Sequence, residues 1–404
     1  MKLIPTEFEP TMRRSTRLAG LSAIALFVAF FLSNERAYAD VTIGRPNVLF
    51  IAVDDLNDWV GCLGGHAQAK TPNIDGLAKK GVLFEQAYCA APLCHPSRTA
   101  IMTGLRPSTT GIYGNLNWYR DLPKLKDWVT IPQYFRKHGY TAWTGGKIYH
   151  QAHGKWSDPE AWDRQYSTKT GTVFPPDGDR YRHGMRDAFT NRILARLMDW
   201  SPIEQSTEET ADWKTAEGAA IFLKRQHDKP FFLACGIYRP HLQWYAPGKL
   251  PSGAPANGQT CKNPVSLVDL YPTLIELCGL PRRSGLEGRS LVPLVNNPNA
   301  NWPWPAIITH SPRWHGTNHA IRTREFHYIH YSDGKEELYD AQADRHQWKN
   351  LADDAGFAVV KANLKKWRPK TNAEHFRGNA AGNRSEAGEK RPGKYVDINK
   401  ELSR

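Results

Sequence analysis

Residues 48–53, with the sequence VLFIAV, form a continuous apolar run that stops at Asp54 and Asp55. A strand without polar residues at every second position is typical of a parallel sheet that is covered by helices on both faces. Ligands of such sheets bind at the carboxyl ends of the strands. The run therefore predicts a central parallel strand, and the two adjacent carboxylates at its end are a candidate site.

Helices and apolar strands alternate along the rest of the chain. Helices over 72–81 and 131–138 each reach a glycine before a short apolar strand, at 82–84 and 140–144. Further elements are a buried strand over 231–237, a helix over 265–278 that tolerates Pro272, and a hairpin of 325–331 with 337–339. This order predicts an α/β layered domain with a mostly parallel central sheet and a small C-terminal antiparallel subdomain.

The first 39 residues differ from this pattern. Three arginines precede the apolar run 18–32, and Ala37-Tyr38-Ala39 supplies a cleavage pattern. Together these features indicate a secretory signal peptide that is cleaved after Ala39. A membrane anchor is the alternative, although the run is shorter than the ~20 residues of a spanning helix. We therefore expect a periplasmic or secreted protein without stable membrane insertion.

Charge and composition divide the remaining chain. The formal net charge is +13, but residues 361–404 hold twelve basic and five acidic residues, so more than half of the excess lies in a polar segment that we expect to be disordered. The rest is mildly basic, and we expect no nucleic-acid partner. Residues 251–264, rich in Pro, Gly and Asn, form a linker-like junction between two parts of one domain, 40–250 and 265–360.

The stretch Cys94-His95-Pro96-Ser97-Arg98, followed by Thr103-Gly104, carries the most specific chemistry. A cysteine at the start of a helix and one turn before an arginine would have its thiolate favoured by the helix dipole and the guanidinium. A buried structural cysteine is the alternative. The residues alone leave both interpretations open.

This stretch resembles the signature of the sulfatase family. The resemblance extends to Gly139-Tyr140-Thr141 with Lys147 and His150 behind it, and it is closest to iduronate-2-sulfatase-like bacterial enzymes. It covers about residues 46–250 and 265–351. It implies an alkaline-phosphatase-like fold and hydrolysis of sulfate esters, on sulfated polysaccharide or glycosaminoglycan-like sugars.

The resemblance also implies a reaction. A formylglycine-generating enzyme would convert Cys94 to formylglycine, whose hydrate attacks sulfur with one hydroxyl and expels sulfate with the other. A divalent cation, calcium in most relatives, would be held by Asp54, Asp55 and the oxygen at position 94, and would neutralise the charge of the sulfate.

Four further side chains match functional positions of the family. Arg98 would orient the nucleophile or its sulfate adduct, and Lys147 and His150 would contact the nucleophile and the sulfate oxygens. His241, in Tyr238-Arg239-Pro240-His241, would protonate the leaving oxygen or hold the sulfate. Exposed surface or loop roles are the alternatives for each.

One family feature is missing from the sequence. Residues 236–270 contain no Asp-His or Asp-Asn pair before a glycine, which relatives use to complete the metal site, and no second active-site lysine of the family pattern. Two carboxylates fall short of the roughly six to eight oxygens that calcium prefers. We therefore expect an interrupted core, and two other functions stay open: a catalytically dead remnant that binds glycans or anions, and a phosphate or phosphonate monoester hydrolase.

Overall fold

A computed structural model describes residues 44–166, 200–242, 244–247, 259–311, 316–376 and 395–396 of the chain. The predicted signal peptide and residues 251–258 of the predicted junction lie outside the described residues. The described stretches contain no helix that is both long and apolar enough to cross a membrane.

The strands of the described residues are β1 (Val48–Val53), β2 (Val82–Phe84), β3 (Ala87–Tyr88), β4 (Thr141–Gly146), β5 (Arg164–Tyr166), β6 (Trp200–Ile203), β7 (Phe231–Ile237), β8 (Trp244–Pro247), β9 (Gln259–Cys261), β10 (Val265–Ser266), β11 (Ala306–His310), β12 (Asn318–Arg322), β13 (Phe326–His330), β14 (Glu336–Asp340) and β15 (Tyr395–Val396). The α-helices are α1 (Pro72–Ala78), α2 (Cys94–Thr103), α3 (Pro107–Thr110), α4 (Ile131–Lys137), α5 (Ala211–Leu223), α6 (Leu270–Leu277), α7 (Val292–Asn296) and α8 (Ala358–Lys365). Short 3-10 helices cover Gly61–Leu63, Tyr119–Asp121, Pro123–Leu125, Lys155–Ser157, Pro159–Ala161, Thr207–Glu209, Leu267–Asp269 and Ala355–Phe357.

The central sheet is parallel, in the order β1-β7-β4-β5-β15. Its register brings the carboxyl ends of three strands together, because Ile237 of β7 lies opposite Val53 of β1, and Gly236 lies opposite Gly146 of β4. The predicted α/β architecture with a parallel sheet is confirmed. This edge of the sheet is where the sequence predicts the site.

Strand β7 is buried on both faces. On one face Phe232 packs with Phe135 of α4 and with Trp162. On the other face Leu233 belongs to a cluster with Phe222 of α5. Helices therefore cover both sides of the sheet, which explains why the sequence of β7 shows no alternation of polar and apolar residues.

The sequence predicts that β1 lies in the centre of the sheet, and this prediction is wrong for the described strands. Among the described strands it pairs only with β7 and forms an edge. Leu49 and Ile51 on this strand are 44% and 50% exposed. Because these two side chains alternate along the strand, they share one face of β1, and their exposure means that no described element covers that face. The free edge of β1 is a separate feature, which leaves backbone N–H and C=O groups without a strand partner.

The second sheet is antiparallel, in the order β11-β12-β13-β14. The predicted hairpin is confirmed, with β13 paired to β14 and Gly334 at a positive φ of 88° in the turn. Tyr328 and Leu338 of this hairpin are fully buried in a cluster that also contains Leu364 of α8. This sheet is the predicted C-terminal subdomain.

The sequence predicts a disordered segment from residue 361 onward, and this prediction is wrong for residues 361–376. Helix α8 ends at Lys365, and the residues after it pack on the main domain. The amide of Ala373 donates to the carbonyl of Ser108 at 2.7 Å, and that of Phe376 donates to Gly111 at 2.9 Å. The sequence did not indicate this packing because the segment is rich in charged residues. Only Leu364 and a few other apolar side chains of the segment reach the core.

The helix predicted over 265–278 is shorter in the structure. Residues 265–266 form β10, and the amide of Ser266 donates to Oδ2 of Asp269 at 2.9 Å at the start of a 3-10 turn before α6. Pro272 lies in the first turn of α6. It is tolerated there because the first N–H groups of a helix have no intrahelical acceptor.

Candidate active site

The predicted site residues lie at the carboxyl ends of the parallel strands. Asp54 and Asp55 follow β1, Lys147 follows β4, and the segment that leads to His241 follows β7. Cys94 is the first residue of α2. Three strand ends and one helix start therefore supply the groups of a single site.

Two glycines bring Lys147 against the neighbouring strand. Gly146 has a φ of +70°, and a Cβ atom on it would lie 2.1 Å from the carbonyl oxygen of Gly236. A Cβ on Gly236 would lie 2.3 Å from the backbone of Lys147. The amide of Lys147 can therefore donate to the Gly236 carbonyl at 2.9 Å, which fixes the start of its side chain beside β7.

Asp54 is buried between two cations. Its Oδ1 accepts from Nη2 of Arg98 at 2.7 Å, and its Oδ2 accepts from Nζ of Lys147. Burial would raise the pKa of the carboxyl group, but Arg98 and Lys147 together hold this pKa below its usual value. Asp54 is therefore a carboxylate, compensated by two positive charges.

Helix α2 places Cys94 and Arg98 one turn apart, on the same face. Arg98 is buried, and its Nη1 donates to the carbonyls of Lys147 and Ile148, the latter at 2.8 Å. The expected stabilisation of the Cys94 thiolate is wrong for the unmodified residue. Burial is the main influence and raises the pKa of the thiol, in spite of Lys147 and Arg98.

His150 enters the site as a neutral imidazole. Burial, with smaller contributions from the cations of Lys147 and Arg98, lowers its pKa to about 4. Its Nδ1 is buried and has no hydrogen-bond partner among the described residues. At neutral pH the ring can therefore donate or accept a hydrogen bond but carries no charge.

His241 lies at the more open side of the site. Its Nδ1 is 2.6 Å from the carbonyl oxygen of Leu242, and its ring packs against Tyr238 at a centroid distance of 4.8 Å. Its Nε2 lies 3.8 Å from Oδ2 of Asp55, whose side chain is mostly exposed and whose φ is +53°. The carbonyl contact orients the ring and directs Nε2 toward the carboxylate.

Two side chains contribute to the site without having been predicted to: Asp212, which lies in no recognised motif, and Tyr238, which belongs to the motif around His241 but had no role of its own. Asp212, in the first turn of α5, accepts from the amides of Tyr238 and Arg239 at 2.7 and 2.8 Å and so holds the segment that ends in His241. The ring of Tyr238 lies 4.5 Å from Nζ of Lys147. The only sequence signal for Asp212 is its place near the start of a helix. Carboxylates are common there as helix caps, so this signal does not indicate a role in the site.

His95 forms a wall beside the site. It is fully buried among aromatic rings, with centroid distances of 5.1 Å to Trp156, 5.8 Å to His150 and 6.0 Å to Trp118. Burial lowers its pKa to about 3, so the ring is neutral. His95 therefore supports His150 by packing.

The donor atoms suit a divalent cation with few protein ligands. One ligand atom each from Asp54, Cys94 and His241 lies within 4.8 Å of the others. Asp55 stands next to this group through its contact with His241. The described residues supply one carboxylate to this group, Asp54, whose two oxygens are also bound by Arg98 and Lys147, and the carboxylate of Asp55 lies beside the group. A cation here would therefore take most of its ligands from water, unlike one in an all-protein calcium cage.

Comparison with known proteins identifies the chain. The sequence profile of the sulfatase family matches residues 46–276, and the profile described as N-sulphoglucosamine sulphohydrolase, C-terminal, matches residues 226–373. The chain belongs to the sulfatase family. Sulfatases in general carry formylglycine and a divalent metal, and they hydrolyse sulfate esters.

Curated relatives agree with this assignment. A sulfatase of Formosa agariphila is 28% identical over 462 aligned positions, which cover 84% of this chain and 90% of the relative. Human iduronate 2-sulfatase is 30% identical over 250 residues, covering 59% of this chain but 42% of the human enzyme. The predicted resemblance to iduronate-2-sulfatase-like enzymes is confirmed at this level.

The fold also resembles solved structures. One is a protein in complex with its substrate D-glucosamine-2-N,6-O-disulfate, with a TM-score of 0.58 at 15% identity, covering 80% of this chain and 96% of that one. At this identity the likeness shows the fold alone. The predicted alkaline-phosphatase-like class is confirmed.

Proposed function

We propose that this sulfatase hydrolyses sulfate esters of a sulfated polysaccharide, with formylglycine made from Cys94 as the nucleophile. The observation that supports it most is the geometry around Asp54: Arg98 and Lys147 bind its two oxygens while Arg98 stands one turn from Cys94. Buried cations beside the nucleophile are what an anionic sulfate needs. The relatives that act on sulfated sugars support the choice of substrate class.

The side chains divide the work by charge. Lys147 and Arg98 hold positive charge where sulfate oxygens would bind, and Asp54 keeps these cations in place. Neutral His150 would donate one hydrogen bond to the nucleophile or the sulfate. His241, close to Asp55, is the group that would protonate the leaving oxygen.

A divalent cation would be held by Asp54, Asp55 and the oxygen at position 94, and it would neutralise part of the sulfate charge when bound. Because these are few ligands, we predict half-maximal activation at roughly millimolar calcium. Chelation should abolish hydrolysis and calcium should restore it. Asp55→Asn should raise the calcium requirement, whereas Asp228→Asn, at an exposed aspartate, should not. Full activity after exhaustive chelation would contradict a cation at this place.

The first test compares paired aryl esters. Protein produced together with a formylglycine-generating enzyme should hydrolyse 4-nitrophenyl sulfate faster than 4-nitrophenyl phosphate. It should also release sulfate from a sulfated polysaccharide. A higher rate on the phosphate ester would favour the phosphate or phosphonate monoester alternative.

The second candidate function is a glycan- or anion-binding remnant without turnover. It is favoured by the alignment with the Formosa agariphila sulfatase, which has 462 positions although only 84% of this 404-residue chain takes part. The relative therefore has residues at positions where this chain has gaps. The small number of candidate metal ligands, Asp54, Cys94 and His241, also favours a protein without turnover. Binding of a sulfated sugar that survives Cys94→Ala and chelation, together with no hydrolysis by converted protein, would establish this function instead.

The cellular context of the proposal is the periplasm or the outside of the cell. The pattern over residues 1–39 supports a cleaved leader, and a formylglycine-generating enzyme would be the required partner. Sequencing the amino terminus of secreted protein tests this directly. A chain that begins near Asp40 is expected.

A further inference from the structure

Two neighbouring cavities lie on the part of the domain formed by α6, α7 and the segments after them. The larger has a volume of about 1190 Å³, and the smaller has a volume of about 400 Å³. Trp302 and Trp304 line both. The two indoles therefore form a shared wall between two parts of one continuous surface.

This surface is basic. Three arginines line the larger cavity and a lysine and an arginine line the smaller one, against one glutamate in each: Arg282, Arg283, Arg289, Lys262, Arg324, Glu276 and Glu325. Within the part of the chain that the structure describes, Arg282 and Arg324 have no carboxylate partner. The surface thus carries a net positive charge, with five cations against two carboxylates in its lining.

The aromatic wall is held in place. Nε1 of Trp302 donates to the carbonyl of Pro264 at 3.0 Å, and the rings of Trp302 and Trp304 meet at a centroid distance of 5.0 Å and an angle of 74°. The guanidinium of Arg289 lies 5.1 Å from the centroid of Trp304. A fixed indole face beside a guanidinium combines the two groups that bind a sugar ring and an anionic substituent.

The electrostatics of Arg289 agree with an anion site. Burial, and the like charge of Arg106, lower the pKa of the guanidinium, and Asp269 only partly opposes this. In addition, Nε of Arg283 is buried without a hydrogen-bond partner among the described residues. An anionic group in the cavity would reduce the repulsion between these cations.

The surface is separate from the catalytic site. Leu286, which lines the larger cavity, packs against Gly104, directly after the end of α2. Cys94 is at the other end of this ten-residue helix, which spans about 15 Å. A ligand in the cavities therefore does not occupy the place of the reacting ester.

We propose that this surface, defined by Trp302, Trp304, Arg282, Arg289 and Arg324, is a second binding site for a sulfated glycan chain. The indole faces pack on sugar rings and the arginines bind sulfate groups. The identity of the glycan rests on the proposed function, but the binding itself does not require turnover. The site retains a polymeric substrate while the catalytic site acts on one of its esters.

Binding of dextran sulfate to the full chain tests the proposal, with unsulfated dextran as the reference. The double variant Arg282→Ser with Arg324→Ser should weaken binding about tenfold, since it removes two charge-assisted contacts. The control Lys80→Ser with Lys224→Ser removes two exposed charges elsewhere on the protein and should change the affinity for dextran sulfate little. Trp304→Ala should weaken binding as well, and Trp304→Tyr should largely restore it. None of these changes should alter hydrolysis of 4-nitrophenyl sulfate.

Three results would overturn the second site: equal losses in the variant and control pairs, dextran bound as well as dextran sulfate, or duplex DNA bound as tightly and unaffected by Trp304→Ala. Failure of the proposed catalytic function would look different. The protein would then bind dextran sulfate at this surface and leave 4-nitrophenyl sulfate intact.

Discussion

At the scale of single residues, Asp54 is the centre of the site. It accepts from Arg98 and Lys147, and these cations reach it from different elements, α2 and the end of β4. The sequence predicted all three residues through motifs. It could not predict that both carboxylate oxygens are already bound by cations, since this follows from contacts between residues more than forty positions apart.

Arg98→Lys tests whether the guanidinium geometry is needed. Lysine keeps a charge for Asp54 but cannot also donate to the carbonyls of Lys147 and Ile148, so we expect activity to fall roughly 100-fold. Steady-state kinetics measures this. Arg136→Lys, in the partly exposed ion pair with Asp163, is the matched control, and its activity should stay near that of the wild type. Activity retained in Arg98→Lys would show that charge alone suffices.

At the scale of elements, the strands that were predicted from continuous apolar runs, 48–53 and 231–237, have those bounds in the structure. The order of the strands was not predictable in the same way. β1 was expected in the centre and lies at an edge among the described strands, because pairing depends on partners elsewhere in the chain. Asp212 was missed for the same reason: its acceptor role is set by a turn about 25 residues away.

Asp212→Asn tests how α5 positions the segment after β7. An amide has one acceptor oxygen, so one of the two backbone hydrogen bonds, to Tyr238 or to Arg239, must be lost. We expect kcat for sulfate ester hydrolysis to fall about tenfold through a displaced His241, with little change in thermal stability. Asp228→Asn, at the other end of β7, should have no effect. An equal effect of both variants would refute the positioning role.

At the scale of the whole molecule, buried neutral histidines couple folding to pH. Burial lowers the pKa of His319 and of His327 to about 4, and both lie in the antiparallel sheet. Arg368 adds to the shift of His319. For His327, Arg322 lowers the pKa while Gln347 and Glu337 oppose this. Each histidine is therefore neutral in the folded state well below the pH at which it is protonated in the unfolded chain.

The sign follows from the lowered pKa. The stabilisation is complete above the unfolded pKa of about 6.5 and is lost as the pH falls toward 4, because the unfolded state takes up the proton first. At pH 5 we expect a loss of about 2 kcal/mol for each residue. Denaturant unfolding at pH 7 and pH 5 measures this. His327→Gln should lose less stability than wild type between these pH values, and an identical loss would contradict the account.

Whether formylglycine at position 94 drives sulfate ester hydrolysis can be decided by measuring conversion and activity on the same preparations. Peptide mass spectrometry gives the converted fraction of residue 94 in preparations made with different amounts of the formylglycine-generating enzyme, and each preparation is assayed on 4-nitrophenyl sulfate. We expect a rate proportional to the converted fraction and no activity in Cys94→Ala. Fully converted protein without hydrolysis, or equal rates in converted and unconverted protein, would contradict it.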